Sequence, residues 1–375
     1  MSTREGGTTA RTRDLAEIDG IAAEWDDLVD RTGASPFLRP GWFMAWWRAF
    51  GHGRLTILTT RKDDRLAGVL PVVRAGGVAR SPTNWHSHRF GPVAEDDGAA
   101  ADLTETLLAR RPRMLSFSFV DEDDPGLGPF RDRLARAGFQ QLHREQLRSL
   151  SVPTDGDWVE YRNALGSDFR GKLGRSRRRL EELGTVRVDV IQGAETPGQL
   201  DALIDEAFRV EASGWKGRAG TAISSGRATE RFYRDVARWA AGRGTLALSI
   251  LRLDGRAIVT EIALEESGHH LGLKAGFDEE FARFGPSLLM FHDLIARNFS
   301  LGLSTFDFLG GDDEWKRRWL PRPRRMLHVS AFAPTFGGVG RWLAHRYGRP
   351  AGKKLQEVAG RLRSRPEVRP RRPAS

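Results

Sequence analysis

The chain has 375 residues, enough for two domains of ordinary size or one large domain. Its hydrophobic content of 39%, with 11 Trp and 20 Phe, excludes an intrinsically disordered body. The absence of cysteine excludes disulfides and thiol nucleophiles. No stretch reaches the roughly 18 consecutive apolar residues of a membrane-spanning helix, and residues 1–20 lack the apolar core of a signal peptide. The composition therefore predicts a soluble, cytoplasmic protein.

The net charge of +10 is unevenly distributed along the chain. Residues 337–375 contain 11 Lys or Arg and 2 Glu, a balance of +9. The other 336 residues contain 48 basic and 47 acidic residues, a balance of +1. A nearly neutral body argues against binding of nucleic acid by the folded part of the chain, which would need a basic face.

The first 150 residues predict one α/β layer, in the order helix, helix, strand pair, strand, helix. Residues 1–11 are small and polar, and we expect them to be disordered. A Lys62-Asp63-Asp64 turn joins the strand pair. The predicted elements are the helices Leu15–Leu28, Trp42–Phe50 and Phe130–Gly138 and the strands Leu55–Thr60, Leu66–Val73 and Met114–Val120.

A change in charge pattern at Ser151-Val152-Pro153 marks the predicted boundary to a second unit of similar organisation. Asp254-Gly255, between two apolar runs, is a strong hairpin signal. The predicted elements are the helices Asp168–Leu183, Pro197–Ser213 and Thr229–Gly242 and the strands Thr185–Ile191, Leu246–Leu253, Ala257–Leu264 and His269–Ala275.

The stretch from Gly276 to Trp319 carries the strongest functional signal. A helix with apolar residues at helical spacing begins at Gly285-Pro286-Ser287, and we expect Ser287 to be its cap. A short buried strand, Thr305–Leu309, follows. An open helix N-terminus beside a strand suits an anion such as a cofactor pyrophosphate, although most helix N-termini carry no ligand.

Two carboxylates interrupt predicted strands and are candidates for the general base of a transfer reaction. Glu261 lies in the second strand of the predicted hairpin, and Asp307 lies between Phe306 and Phe308. Strand alternation also allows either carboxylate to be a surface charge. Lys316, in the charged loop that follows, is a candidate for contact with substrate or phosphate, or an exposed loop lysine.

Candidate acceptor-binding residues lie at the end of one predicted helix and on the next. Glu211 ends the first helix, and Trp215 and Lys216 follow at a loop mouth, where a ring and an ammonium suit a sugar or an acidic acceptor. Tyr233 lies on the second helix. The alternative for Trp215 and Tyr233 is packing within a core.

Two further clusters have ordinary explanations. The helix that begins at Asp168 carries the densest charge of the body, which is typical of a solvated face but also suits an anionic substrate or tRNA. His86 and His88 have no third ligand at recognisable spacing, so no metal site is predicted. The basic residues of the helix are Arg170, Lys172, Arg175, Arg177, Arg178 and Arg179.

The C-terminal tail, residues 336–375, mixes apolar and basic residues. Such a segment suits an anionic membrane surface, and the alternative is a disordered basic tail. The apolar residues are Val339, Trp342, Leu343, Tyr347, Leu355, Val358 and Leu362.

The chain resembles the GNAT-like acyltransferases grouped with CelD-type cellulose-biosynthesis proteins, which are similar to FemAB-type aminoacyl transferases. The resemblance covers residues 12–335. None of its motifs is specific by itself, but they occur in the same order along the chain as in the family. They are Trp25-Asp26-Asp27-Leu28, Ser35-Pro36-Phe37-Leu38, Trp42, Trp46, Phe50-Gly51, Gly68-Val69-Leu70-Pro71, Phe169-Arg170, Arg175–Leu180, Glu211, Gly214-Trp215-Lys216, Phe306-Asp307-Phe308, Gly310, Trp315-Lys316 and Trp319.

The resemblance implies an α/β fold of two tandem GNAT-like domains, each a mixed, largely antiparallel sheet flanked by helices. The domains would span residues 12–150 and 151–335, with the active site in the second. The donor would be acetyl-CoA or another acyl-CoA, held at Arg283, Gly285, Pro286, Ser287 and Leu288. The family usually has glycine directly before the helix run, where this chain has Ser287.

The activity implied is transfer of an acyl group to an amine or hydroxyl, in polysaccharide or cell-envelope biosynthesis. The acceptor would be a small molecule or saccharide, and the enzyme cytoplasmic or peripheral at the inner face of the membrane. One alternative is a FemAB-like transferase that takes its donor from tRNA. Another is a non-catalytic GNAT-like module of an exopolysaccharide complex.

Overall fold

The computed structural model describes residues 11–13, 17–193, 196–214, 220 and 222–348. Over these ranges the protein has a mixed α/β fold, in which one large and mostly antiparallel sheet is flanked by helices. This architecture confirms the predicted fold class.

The N-terminal half contributes four helices and seven strands among the described residues. A 3-10 turn, Pro36–Leu38, precedes the second helix. The helices are α1 (Ala22–Thr32), α2 (Pro40–Phe50), α3 (Asp97–Ala109) and α4 (Leu127–Arg136), and the strands are β1 (Arg11–Arg13), β2 (Arg54–Lys62), β3 (Arg65–Ala75), β4 (Val78–Arg80), β5 (Val93–Ala94), β6 (Met114–Asp121) and β7 (Gln140–Pro153).

The C-terminal half contains the remaining elements. It also has 3-10 turns at Ile223–Ser225 and Glu279–Phe284 and a final π-helical turn, Ala344–Gly348. The helices are α5 (Trp158–Ala164), α6 (Ser167–Glu181), α7 (Pro197–Ala212), α8 (Arg227–Gly242), α9 (Pro286–Ser300), α10 (Glu314–Arg317) and α11 (Phe336–Leu343), and the strands are β8 (Val186–Ile191), β9 (Leu246–Leu253), β10 (Arg256–Glu266), β11 (His269–Phe277), β12 (Thr305–Asp307) and β13 (Arg322–Phe332).

One sheet runs through both halves. Its strand order is β1-β2-β3-β4-β6-β13-β7-β12-β11-β10-β9-β8, and β5 pairs with β3. Among the described strands, the parallel pairs are β4 with β6 and β11 with β12. The last strand, β13, lies between β6 and β7, so the end of the chain completes the N-terminal half of the sheet. The boundary predicted between residues 150 and 151 falls inside β7.

Turn chemistry explains the two predicted hairpins. Asp63 and Asp64 have φ angles of 52° and 59° between β2 and β3. Asp254 and Gly255 have φ angles of 47° and 83° between β9 and β10. Two consecutive positive φ angles belong to the tight turn whose twist matches that of antiparallel strands, and Asp and Gly adopt them most easily.

Helices α2 and α8 join the two halves through aromatic packing. Trp42 and Trp46 of α2 are buried in one apolar cluster with Phe232 and Val236 of α8. The rings of Trp42 and Phe232 meet edge to face, with centroids 5.2 Å apart. This contact fixes the N-terminal half over the C-terminal half, where the cavity described below opens.

Two helix starts differ from the predictions. The helix predicted over Leu15–Leu28 begins only at Ala22, because the buried Ile18 and Ile21 lie in a turn before it. The predicted cap Ser287 is wrong, since Gly285 is the N-cap and Ser287 makes no side-chain capping bond. Gly285 has a φ of 62°, a left-handed conformation that glycine adopts without steric cost.

Several elements were not predicted, above all β7 and β13. Strand β7, QQLHREQLRSLSVP, is largely polar and half-buried and lacks a clear alternation of apolar residues. Strand β13, RPRRMLHVSAF, begins with a mostly exposed basic segment, and its buried second half does alternate. Predictions for residues 1–10, Trp215, Lys216 and the tail beyond residue 348 lie outside the described residues. None of the helices in the described part of the chain is long and apolar enough to span a membrane.

Candidate active site

Strands β11 and β12 separate and open a cavity between them. They pair in parallel over three residues, His269–Leu271 with Thr305–Asp307. Beyond Leu271, β11 continues to Phe277, while the chain after Asp307 turns away through Phe308–Gly311. This opening contains a cavity of about 760 Å³, which is lined by residues of both segments.

A second cavity lies between the first and the start of α9. It has a volume of about 420 Å³ and is lined by Ser287 and Leu288 at the helix start. Ala275, Phe291 and Trp315 line both cavities, and the rings of Phe291 and Trp315 stack on each other. The two spaces therefore lie side by side, from the helix N-terminus to the opening between the strands.

Glu261 is the predicted carboxylate that reaches the larger cavity. It lies on β10, is 2% exposed and lines the cavity wall. A Cβ atom on Gly272 would lie 2.6 Å from Glu261 Oε1, so only glycine at this position leaves room for the carboxylate. A bulge follows, since the β10–β11 register passes from Gly272 to Lys274 and leaves Leu273 without a partner on β10.

Behind Glu261 lies a buried chain of charges that sequence reasoning missed. His270 Nε2 is 3.1 Å from Glu261 Oε2, and His270 Nδ1 is 3.1 Å from Glu265 Oε1. Arg297 on α9 donates to both oxygens of Glu265. The His270 ring stacks on Phe306, with centroids 4.3 Å apart. Glu261 is thus held from behind by an imidazole that is itself fixed on three sides.

The pKa values of this chain follow from its geometry. Burial opposes a charge on His270, but the two carboxylates outweigh burial and raise the pKa of His270 to about 9. Burial alone would raise the pKa of Glu265, but hydrogen bonds from His270 and Arg297 lower it to about 2. At neutral pH His270 is therefore an imidazolium that donates to both carboxylates.

Asp307, the other predicted base, faces away from the cavity. Its Oδ1 accepts hydrogen bonds from Ser149 Oγ at 3.0 Å and from the Leu309 N–H at 2.8 Å. Its Oδ2 lies 3.4 Å from an Arg89 nitrogen. It is not among the residues that line the cavity, so its contacts favour a structural position over a catalytic one.

Lys316 lines the cavity, but its ammonium group is already satisfied. Nζ donates to the carbonyls of Leu309 at 2.9 Å and Gly311 at 2.8 Å and pairs with Asp313 at 2.9 Å. Three partners use its three N–H groups. Leu309 has a φ of 50°, an uncommon conformation for leucine. Asp307 and Lys316 hold Leu309 from both sides and so shape the loop that diverges from β11.

The wall opposite Glu261 comes from the N-terminal half and from α8. It includes His86, His88 and Tyr233. The Tyr233 hydroxyl is 3.3 Å from His86 Nδ1. Burial, reinforced by Lys274, lowers the pKa of His86 to about 4, and burial lowers that of His88 to about 3. Burial also raises the pKa of Tyr233. All three side chains are neutral at pH 7.

For His86 and His88 the sequence predicts packed or exposed side chains and no metal site. They are remote in sequence from the predicted site, and only the packing of the two halves brings them to it. Trp85 lies beside them at the cavity edge with 80% of its surface exposed. Within the described ranges, no group of three or more His, Asp or Glu side chains could hold a metal ion.

The predicted acceptor residues divide between the two cavities. Glu211 is buried at the end of α7 and lines the smaller cavity. Its Oε2 accepts from the Ile223 N–H at 2.9 Å, and its Oε1 is 3.7 Å from Lys274 Nζ. Trp215 and Lys216 lie outside the described residues, but Gly214 and Gly220 on either side of them line the cavities.

The predicted phosphate loop lies at the start of α9. Pro286 at the first helical position has no N–H, so the donors offered here are the Ser287 amide and hydroxyl. Arg283 is exposed, stacks on Phe284 with its guanidinium 4.7 Å from the ring centre, and does not line either cavity. Of the five predicted residues, Ser287 and Leu288 reach the smaller cavity.

Helix α6 places positive charge beside this loop. It packs against α9 and the 3-10 turn before it, and Ser176 Oγ is 3.3 Å from where a Cβ would stand on Gly285. Lys172 and Arg179 lie one turn on either side of Ser176, and they are exposed, as is Arg175. Arg177, in contrast, pairs with Asp293 at 2.5 Å. The start of α9 therefore lies next to a row of cations.

Comparisons with known proteins agree with this geometry. Residues 167–317 match the family model for the acetyltransferase (GNAT) domain. The matched range is less than half of the chain. No curated protein matches the sequence. Among solved structures, FemX has a TM-score of 0.57 at 12% identity, over 86% of this chain and 97% of FemX.

Two further structures are similar over comparable lengths. L-PGS from Bacillus licheniformis has a TM-score of 0.54 at 13% identity, over 86% of this chain and 96% of its own. A C-terminal domain from Agrobacterium fabrum, described as part of a lysylphosphatidylglycerol synthetase, has a TM-score of 0.53 at 13% identity, over 87% and 96%. At these identities the likeness shows the fold, and residues 167–317 within it match a GNAT acetyltransferase domain.

Proposed function

We propose that this protein transfers an acyl group from acyl-CoA to an amine or hydroxyl acceptor. The observation that carries the proposal is the pair of adjacent cavities between the start of α9 and Glu261, which share Ala275, Phe291 and Trp315 beside the opening between β11 and β12. Such an arrangement brings a donor and an acceptor together at one carboxylate, which converts a bimolecular reaction into a positioned one.

The donor enters along the smaller cavity. Its phosphates lie at the Ser287 amide and hydroxyl, near the cations of α6, because helix N-termini and basic side chains both favour anions. Its acyl arm runs along β11 from Phe277 toward Gly272, past the stacked rings of Phe291 and Trp315. The thioester then ends beside Glu261.

Glu261 acts as the general base. The acceptor nitrogen or oxygen attacks the thioester carbonyl carbon, the new bond forms, and the C–S bond breaks with release of CoA. The proton of the attacking group passes to Glu261 Oε1, the oxygen that faces Gly272. Main-chain N–H groups at the Leu273 bulge stabilise the negative charge that develops on the carbonyl oxygen.

His270 positions this base. As an imidazolium between two carboxylates, it fixes Glu261 Oε2 and leaves Oε1 toward the cavity. Arg297 anchors the far end through Glu265. The buried chain keeps the carboxylate in one orientation without reorganisation during the reaction.

The acceptor occupies the larger cavity. A volume of about 760 Å³ lies within the range of cavities that hold small molecules. Its wall of Trp85, His86, His88 and Tyr233 is aromatic and uncharged, which suits a saccharide with an amine or hydroxyl to be acylated. A saccharide acceptor agrees with the resemblance to CelD-type proteins and with a role in polysaccharide or cell-envelope biosynthesis.

A second candidate function is aminoacyl transfer from tRNA. The exposed cations of α6 beside the start of α9 favour it, because they suit a longer phosphate backbone as well as a single cofactor. The similarity to FemX and to a lysylphosphatidylglycerol synthetase, whose name denotes an aminoacylated lipid as product, supports the same candidate. Glu261 would serve as base in either reaction.

Calorimetric titration with acetyl-CoA and with CoA tests the donor. We expect micromolar binding that Ser287→Trp abolishes, because the indole would fill the smaller cavity. Ser300→Trp, at the exposed C-terminal end of the same helix, is the matched control and should bind normally. If the wild-type protein binds neither ligand but binds charged tRNA, the acyl-CoA proposal is wrong and the aminoacyl-tRNA candidate replaces it.

A further inference from the structure

Helix α11 and the turn after it present a row of apolar side chains to solvent. Phe336, Val339, Leu343 and Tyr347 are spaced three or four residues apart and therefore share one side. Their surfaces are 102%, 40%, 44% and 64% exposed. We call these four residues the apolar stripe.

The opposite side of α11 is the one that packs on the protein. Gly338, the buried residue of α11, lies on this side, and the helix contacts β7 and β13. The ring of His345 lies 5.2 Å from that of Phe332. The apolar stripe therefore points away from the body and makes no contribution to its core.

Other exposed apolar residues do not form such a row. Val159 and Leu301, which are 57% and 54% exposed, stand alone on separate elements. Single exposed apolar side chains are ordinary, whereas a contiguous apolar surface marks a place where something binds. The stripe is therefore a candidate interaction surface.

The charge around the stripe indicates the partner. Arg346 is exposed and lies beside Tyr347 of the stripe, Arg341 is exposed on the other side of the helix, and residues 333–348 contain no Asp or Glu. Residues 337–375 carry 11 Lys or Arg and 2 Glu, whereas the rest of the chain is nearly neutral. A second copy of this chain, or the basic residues 349–375, would bring further positive charge against Arg341 and Arg346.

We propose that the apolar stripe docks on an anionic lipid surface. Its side chains enter the boundary between headgroups and acyl chains, Arg346 contacts acidic headgroups, and Arg341 adds positive charge from the other side of the helix. The inference does not depend on the proposed acyl transfer. Strand β13, about 35 Å long at the rise of an extended strand, leads from the loop after α10 to α11 and so separates the stripe from the residues of α10 that line the cavity.

Sedimentation of the full chain with lipid vesicles tests the proposal. We expect it to pellet with vesicles that contain phosphatidylglycerol, to remain in solution with phosphatidylcholine alone, and to be released by salt. Phe336→Ser combined with Leu343→Ser should weaken binding by at least about tenfold, because two apolar side chains leave the lipid. Arg341→Gln combined with Arg346→Gln should weaken it by roughly fivefold per charge.

The control is Val159→Ser combined with Leu301→Ser, which removes two apolar residues that are 57% and 54% exposed elsewhere on the protein and should bind like the wild type. Absence of binding to acidic vesicles overturns the proposal. So does binding that the stripe variant leaves unchanged, since charge alone would then explain it. A stripe variant that converts a dimer into a monomer would assign the surface to a second copy.

Discussion

The two walls of the larger cavity hold histidines in opposite charge states. On the N-terminal wall, burial lowers the pKa of His88 to about 3, and its buried Nε2 has no hydrogen-bond partner in the described part of the chain. On the C-terminal side, burial of His270 is outweighed by Glu261 and Glu265, and its pKa rises to about 9. Neighbouring carboxylates, and not burial alone, decide the charge.

This difference separates two tasks. The N-terminal wall is uncharged and aromatic, so it suits the binding of an acceptor. The C-terminal side contains the linked charges Glu261, His270, Glu265 and Arg297, so it suits proton transfer. We therefore expect substitutions on the C-terminal side to lower kcat and those on the N-terminal wall to raise KM for the acceptor.

The largest effect is expected for Glu261→Gln, which removes the base. We expect kcat to fall by about 10²- to 10⁴-fold, the usual contribution of general base catalysis, while KM for acetyl-CoA stays the same. Release of CoA thiol measures the rate, with amines and amino sugars as acceptors, and the absence of cysteine removes any background from the protein. The control is the exposed Glu182→Gln. A Glu261→Gln enzyme that keeps most of its kcat would remove Glu261 from the mechanism.

The stability of the two histidine sites should depend on pH in opposite directions. His270 has a raised pKa, so protonated His270 contributes fully to the free energy of unfolding below about pH 6.5. This contribution is lost as the pH rises through about 9. His88 has a lowered pKa, so the unfolded chain takes up a proton that the folded chain does not bind, and stability falls as the pH drops below about 6.5.

Urea unfolding of the wild type, His270→Leu and His88→Leu across pH 5–10 measures this contrast. At neutral pH the free energy of unfolding of His270→Leu should be about 3–5 kcal/mol lower than that of the wild type, as for other broken buried ion pairs. This difference should shrink toward pH 10. The wild type should lose stability relative to His88→Leu on acidification. Parallel pH curves for all three proteins would contradict the assigned charge states.

The smallest effect is expected for Tyr233→Phe, which removes the hydroxyl that meets His86. Loss of one hydrogen bond in the acceptor wall should raise acceptor KM by roughly three- to tenfold and leave kcat unchanged. Steady-state kinetics with varied acceptor concentration give the answer. A fall in kcat comparable to that of Glu261→Gln would show that the N-terminal wall takes part in chemistry.

Local sequence patterns predicted many elements. The hairpins at Asp63-Asp64 and Asp254-Gly255 and the helices of the C-terminal half follow from turn chemistry and apolar spacing. Strands β7 and β13 were not predicted from the sequence. Their place in the sheet depends on pairing between segments that are distant in sequence, and a polar strand gives no local pattern for such pairing.

The site was predictable only in part, because its function depends on neighbours that are remote in sequence. Glu261, Tyr233 and Ser287 do reach the joined cavities, although their roles stay predictions. The sequence offers Asp307 as a base on the same grounds as Glu261 and Lys316 as a substrate or phosphate contact, but in the fold Asp307 and Lys316 hold Leu309. No sequence motif marks His270 and Gly272. Both act on Glu261, which lies on the neighbouring strand of the β10–β11 pair.

The most direct test of the central claim is a crystal structure with an acetyl-CoA analogue that cannot transfer its acyl group. The account predicts phosphates at Ser287 beside α6, the acyl arm along β11 from Phe277 to Gly272, and the acyl carbon next to Glu261. An analogue bound in the N-terminal half, or with its acyl group away from the opening between β11 and β12, would contradict it.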